Sequence, residues 1–129
     1  MIIHTGMEGT ASRLITEKET AKTVGSGTLD VCATPVVCAL MEAAAVDALA
    51  GCLPAGTTTV GSYIAAMHKA PTLPGRTVTA KAALVETEGR KLIFHITASD
   101  EAGEVAEAEH VRYLIDSEPF MDKAAKRYC

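Results

Sequence analysis

Thr34-Pro35-Val36-Val37-Cys38-Ala39-Leu40-Met41-Glu42-Ala43-Ala44-Ala45-Val46-Asp47-Ala48-Leu49-Ala50 is the stretch that decides the fold. It opens as a helix does: Thr34 suits an N-cap, and Pro35 at the first helical position loses nothing by lacking an N–H. The Ala, Leu and Met that follow favour the helix, and Gly51 with Pro54 ends it. Its apolar residues are not confined to one stripe. A helix apolar nearly all round is buried on most sides, yet this one is too short to span a bilayer. Something in the chain must therefore wrap it.

The residues downstream supply the wrapping. Residues 57–69 read as a strand rich in Thr, Val, Tyr and Ile. Residues 76–87 form a second, with Val78, Ala80, Ala82 and Leu84 on one face. Residues 91–99 give the clearest alternation, Leu92, Phe94 and Ile96 against Lys91, His95 and Thr97. Residues 104–116 form a fourth, and residues 119–126 a short terminal helix. Upstream, residues 9–18 alternate weakly and read as a further strand. Short turns at Glu88-Gly89 and between Asp100 and Gly103 imply antiparallel neighbours. The expectation is a single α+β domain over residues 1–129: a curved antiparallel sheet wrapped around one central helix, the hot-dog fold. Edge strands in such a sheet invite pairing with a second copy, so a homodimer or higher assembly is expected.

Composition narrows the function. The 129 residues suffice for one core. A net charge of −4 argues against tracking nucleic-acid phosphates. No apolar run suits a membrane span, and the start of the chain lacks the pattern of a signal peptide. Cys32, Cys38, Cys52 and Cys129 show neither metal-ligand nor CxxC spacing. A cytoplasmic protein without metal or disulfides is expected, and no phosphate-binding loop or GxSxG elbow occurs.

Glu42 is the most informative single residue. A carboxylate among Leu40, Met41 and three alanines on a buried helix is expected to be desolvated, which raises its pKa and makes it a general base or nucleophile near pH 7. The blander account puts it on a wet helix edge or pairs it with a Lys. Thr34 lies eight residues earlier, about 12 Å along the axis, so the two would bracket a bound group rather than touch. Free N–H groups at the helix start suit a developing oxyanion. His68 shares a strand face with Val60, Ile64 and Ala66. His110 and Arg112 share one with Ala106 and Ala108, as ligand contacts or as an edge ion pair. Gly61, interrupting a β-branched strand, marks a bulge or a close approach of ligand to the backbone.

Together these segments resemble the fluoroacetyl-CoA thioesterase-like family of hot-dog thioesterases. Ala33-Thr34-Pro35 with Leu40-Met41-Glu42 is similar to that family's Thr-and-Glu helix. His68, the turn Pro74-Gly75-Arg76-Thr77-Val78-Thr79, Glu109-His110-Val111-Arg112 and Gly61 fall at matching places. The resemblance implies hydrolysis of a small or medium acyl-CoA to carboxylate and CoA, without cofactor. It further implies Thr34, Glu42 and His68 as the catalytic group, with Gly61, His68 and Arg112 binding substrate. Two competing readings are a hot-dog enoyl-CoA hydratase, whose Asp-x-Asn-Pro-x-His pattern is absent, and a non-catalytic acyl-CoA-binding module. Residues 24–33 carry no aromatic ring, where the family's fluoroacetyl-specific branch carries rings as a lid.

Overall fold

A computed structural model describes residues 2–129. Strand β1 (Glu8–Leu14) leads through a 3-10 turn (Glu17–Glu19) and a single helical turn, α1 (Ala21–Val24), to the long helix α2 (Thr34–Ala48). Strands β2 (Thr57–His68), β3 (Thr77–Glu88), β4 (Lys91–Asp100) and β5 (Gly103–Asp116) follow, then helix α3 (Ser117–Lys126). The five strands form one antiparallel sheet in the order β1-β3-β4-β5-β2, leaving β1 and β2 at the edges.

The alternation read from the sequence sets the core. Val78, Ala80, Ala82 and Leu84 of β3 lie beside Leu92, Phe94, Ile96 and Ala98 of β4, all at most 1% exposed, in one cluster with Val37, Met41, Ala44, Ala45 and Ala48 of α2. Burial of Leu92, Phe94 and Ile96 contributes about 1.5–3 kcal/mol each. Alanines at Ala80, Ala82, Ala98, Ala106 and Ala108 keep the concave face shallow, so α2 can lie close without large rings between. The closest approach is at β1. A β-carbon on Gly9 would overlap the backbone of Ala44 and Ala48, and Asp47 Oδ2 accepts from the neighbouring Thr10 N–H at 2.9 Å.

Strand β1 stops at Leu14, short of the expected residue 18, because Thr16 and Glu19 cap a 3-10 turn there, and two larger features also differ from the sequence expectation. First, α2 is not wrapped all round. Val37, Leu40, Met41, Ala44, Ala45 and Ala48 are buried, but Pro35, Ala39, Ala43 and Val46 form an open face, Val46 being 50% exposed. A sheet can cover only the side of a helix that it faces. Second, a bulge between Gly61 and Tyr63 shifts the β2 register against β5, and one extra residue reverses the facing of everything on one side of it. Thr59 and Gly61 therefore share the inner face with Ile64, Ala66 and His68. Val60, expected there, pairs with the outward-facing Tyr113.

Candidate active site

Two polar clusters lie where α2 passes the edge strand β2. Thr34 begins the first. It is not the N-cap: Ala33 holds that place, without a side-chain cap. Its hydroxyl instead makes a 2.8 Å hydrogen bond with His68 Nδ1. His68 closes β2, and the inner-face parity beyond the bulge aims its ring at the helix start. Burial lowers its pKa from 6.5, a backbone interaction with Ala70 partly opposing, so the ring is neutral at pH 7. His68 Nε2 is buried without a hydrogen-bond partner of good geometry. Such an atom costs about 1–3 kcal/mol and calls for a water or ligand. An open cleft of about 240 Å³ adjoins it, lined by Val31, Cys32, Thr34, His68 and Ala70 among others. The expected ring of free N–H groups at the helix start is thinner than foreseen. Pro35 has none, and Val36 and Val37 both donate to Ala33 O.

Glu42, two turns further along, belongs to the second cluster. The deep burial expected for it is not met in the single chain: β2 is an edge strand, and the Glu42 side chain is 41% exposed. It is nonetheless paired. Arg112 Nη1 stands 3.4 Å and His110 Nε2 3.7 Å from Glu42 Oε2. Arg112 is 7% exposed and anchored from behind, Nε donating to Thr59 Oγ1 at 2.9 Å and Nη2 to the Thr59 carbonyl at 3.1 Å. Burial draws the guanidinium below its ordinary pKa, and Glu42 opposes the fall.

Gly61 makes this packing possible. A β-carbon there would stand 2.5 Å from Glu42 Oε2, 3.2 Å from Arg112 Nη1 and 3.3 Å from His110 Cε1. The bulge reading of this glycine holds, and the room it leaves is taken by these three side chains. Cys38 lies one turn from both Thr34 and Glu42. Burial and the Glu42 charge push its thiol up, which keeps it a thiol rather than a nucleophilic thiolate. All four cysteines are free.

The structure thus joins Thr34 to His68, and Glu42 to Gly61 and Arg112, but it does not bring the two groups together within one chain. Sequence reasoning missed Thr59, whose place two residues from Gly61 on the inner face was hidden by the bulge. It left His110 between alternatives. His95 is exposed and bonded to Glu107, as its polar strand face foretold. Among the described residues, no group of three or more His, Cys, Asp or Glu is placed to hold a metal ion, and no helix is long and apolar enough to cross a membrane.

A curled antiparallel sheet on one helix, with a helix carboxylate facing a glycine of the edge strand, places the chain among the hot-dog thioesterases. Residues 15–118 match the family model described as fluoroacetyl-CoA-specific thioesterase. The fluoroacetyl-CoA thioesterase of Streptantibioticus cattleyicolor is 38% identical over 98 residues, covering 76% of this chain and 70% of that protein. A mutant of the fluoroacetyl-CoA thioesterase FlK, solved in complex with acetyl-CoA, superposes with a TM-score of 0.90 at 30% identity, over 97% of this chain and 98% of that one. A thioesterase superfamily member from Thermus thermophilus gives a TM-score of 0.88 at 25% identity, over 98% and 96% of the two chains. The chain belongs to the fluoroacetyl-CoA-specific thioesterase family.

Proposed function

We propose that this protein hydrolyses a small or medium acyl-CoA thioester to the carboxylate and CoA, with Glu42 as the group that drives the chemistry. The observation that carries this reading is the paired yet accessible Glu42 carboxylate, beside Arg112 and over the backbone of Gly61. As general base it takes a proton from water while the water oxygen attacks the thioester carbonyl. The tetrahedral intermediate then collapses, breaking the C–S bond and releasing the CoA thiolate, which is protonated on leaving. As nucleophile it would form a transient anhydride that water cleaves. Both routes draw on side chains and water alone. His68, neutral and with a free nitrogen, serves proton transfer, and Thr34 orients it. Gly61 and Arg112 hold the acyl end.

Thr34 and Glu42 are separated by about 12 Å along the helix, so an acyl-CoA would lie between them. A homodimer fits the open α2 face of Pro35, Ala39, Ala43 and Val46 and the edge strand beside it, where Tyr63 and Met67 are exposed. A second copy on this face would also take Glu42 out of water, the setting a basic carboxylate needs. Sedimentation as a monomer at micromolar concentration would count against that assembly. Four free cysteines accord with a reducing, cytoplasmic compartment.

The test is thiol release from acetyl-, propionyl- and longer acyl-CoAs. Wild-type protein should turn over at least one, and Glu42→Gln, which keeps the volume but neither base nor nucleophile, should lose at least about 100-fold in kcat. Retention of most activity by a folded Glu42→Gln protein would refute the carboxylate mechanism.

A further inference from the structure

We propose that His110 is a positioning residue that holds Arg112 off Glu42, keeping the carboxylate free to react. The inference rests on the thioesterase reading and adds to it a residue that acts through Arg112.

His110 is 1% exposed on the inner face of β5, level with Phe94 of β4 and Ile64 of β2. Its Nδ1 lies 2.7 Å from the carbonyl oxygen of Tyr63. A carbonyl only accepts, so Nδ1 carries a proton. Burial and the Arg112 charge both lower the pKa of the ring from 6.5, against the Tyr63 bond and Glu42. The groups facing it are Glu42 from α2, Arg112 from its own strand, the Tyr63 carbonyl from β2 and the Phe94 ring at 6.3 Å from β4. With one proton, on Nδ1, the ring presents a bare lone pair at Nε2.

That lone pair faces Arg112 Nη1 at 3.2 Å, and a guanidinium can only donate. Nη1 has two hydrogens. One goes to His110 Nε2, and the other points to Glu42 Oε2 at the long distance of 3.4 Å. Thr59 takes Nε and one hydrogen of Nη2. A guanidinium left to itself closes on a carboxylate in a short, two-pronged pair at about 2.7–2.9 Å. Here Thr59 fixes one side of the fork, and His110 claims half of the remaining prong. Arg112 therefore neutralises the site without clamping both oxygens of Glu42, and one side of the carboxylate stays open to water.

The experiment compares two variants. Asn at position 110 can keep the donor to Tyr63 but has no atom at the Nε2 place. Gln puts an acceptor near that place and gives up the Tyr63 bond. A merely structural histidine would make His110→Asn the milder change, because the 2.7 Å bond survives. Positioning reverses the order. His110→Asn should lose on the order of 100-fold in kcat with KM little changed. His110→Gln should restore most of the rate. Denaturant midpoints for both variants identify any loss due to unfolding. Nitrogen NMR of the free wild-type ring supplies a readout apart from activity: Nδ1 protonated and Nε2 bare at pH 7. A protonated Nε2 overturns the proposal, as does a folded His110→Asn protein that matches or exceeds His110→Gln in rate. Wild-type protein that releases thiol from no acyl-CoA would refute the thioesterase reading instead, and the ring spectrum would still decide the tautomer on which the positioning role depends.

Discussion

Gly61→Ala separates the geometry of the site from the stability of the fold. The backbone of Gly61 is ordinary extended strand, outside the left-handed region, so alanine meets no conformational penalty there. The new methyl group would stand 2.5 Å from Glu42 Oε2, against the 3.4 Å at which ordinary contact begins. The carboxylate must therefore retreat by about 1 Å. It can do so, being the far end of a flexible and two-fifths exposed side chain. Arg112 and His110, at 3.2 and 3.3 Å, need yield by only a few tenths of an ångström. Overpacking of this kind costs about 1–3 kcal/mol, less about 0.4–1 kcal/mol returned by stiffening the unfolded chain. The variant should fold with a modestly lowered urea midpoint. A reacting group displaced by about 1 Å, however, loses on the order of 100-fold in rate, which thiol release from the best acyl-CoA would show. Gly9→Ala is the contrasting case. Its methyl would fall on the backbone of Ala44 and Ala48, which cannot yield without breaking α2, so little folded protein is expected. A folded Gly61→Ala protein with wild-type kcat/KM would show that the place of Glu42 over the strand is irrelevant to turnover. Gly61→Ala unfolding as Gly9→Ala does would refute the premise that a side-chain tip gives way where backbone cannot.

Two further outcomes are expected. The Thr16 hydroxyl and backbone N–H, with Arg13, hold the Glu19 carboxyl down to about 2 from 4.5; a pKa depressed on folding gives stability that is present above 4.5 and lost as pH falls toward 2, so denaturant midpoints between pH 5 and 2 should fall more steeply for wild type than for Glu19→Gln, and parallel curves would refute this. Residues 24–33 offer no ring to shape a tight, dry acyl pocket, so kcat/KM for fluoroacetyl-CoA should stay within about tenfold of that for acetyl-CoA; a preference of several orders of magnitude would mean that another segment supplies the lid.

The core was legible because its signals are local. Leu92, Phe94 and Ile96 alternate within one strand, and residues 34–50 announce a helix by composition and by Pro35. Gly61 flags a bulge, but its effect on which side chains face inward was not legible, since β-branched residues stand on both sides of it and nothing in their order says where the register slips. Simple alternation therefore turns Val60 inward and hides Thr59. Thr34 shows a second kind of failure. Its local preference is to cap the helix, but a histidine 34 residues away offers its hydroxyl a bond at 2.8 Å, and Ala33 takes the capping place unaided. Such a competition is decided by tertiary geometry, which local propensity does not contain.

Glu42 shows the third and most instructive case. An acidic residue amid Leu, Met and Ala is conspicuous, but the composition of the helix alone does not fix its burial. How wet a helix position is depends on which strand lies beside it, and β2 happens to end the sheet. The partners that matter, Arg112 and His110, lie some 70 residues downstream, where their shared strand face offers ligand contacts or an ion pair without naming Glu42 as the partner. What the structure adds is a reason for the glycine between them. A carboxylate, a guanidinium and an imidazole can meet at the inner surface of a strand only where that strand has no side chain, so Gly61 belongs to the site by what it lacks. The same edge that leaves Glu42 half in water leaves the smooth α2 face of Pro35, Ala39, Ala43 and Val46 uncovered. The second chain proposed along β2 would cover that apolar surface and take the carboxylate out of water in one step, so assembly and activity are best tested together.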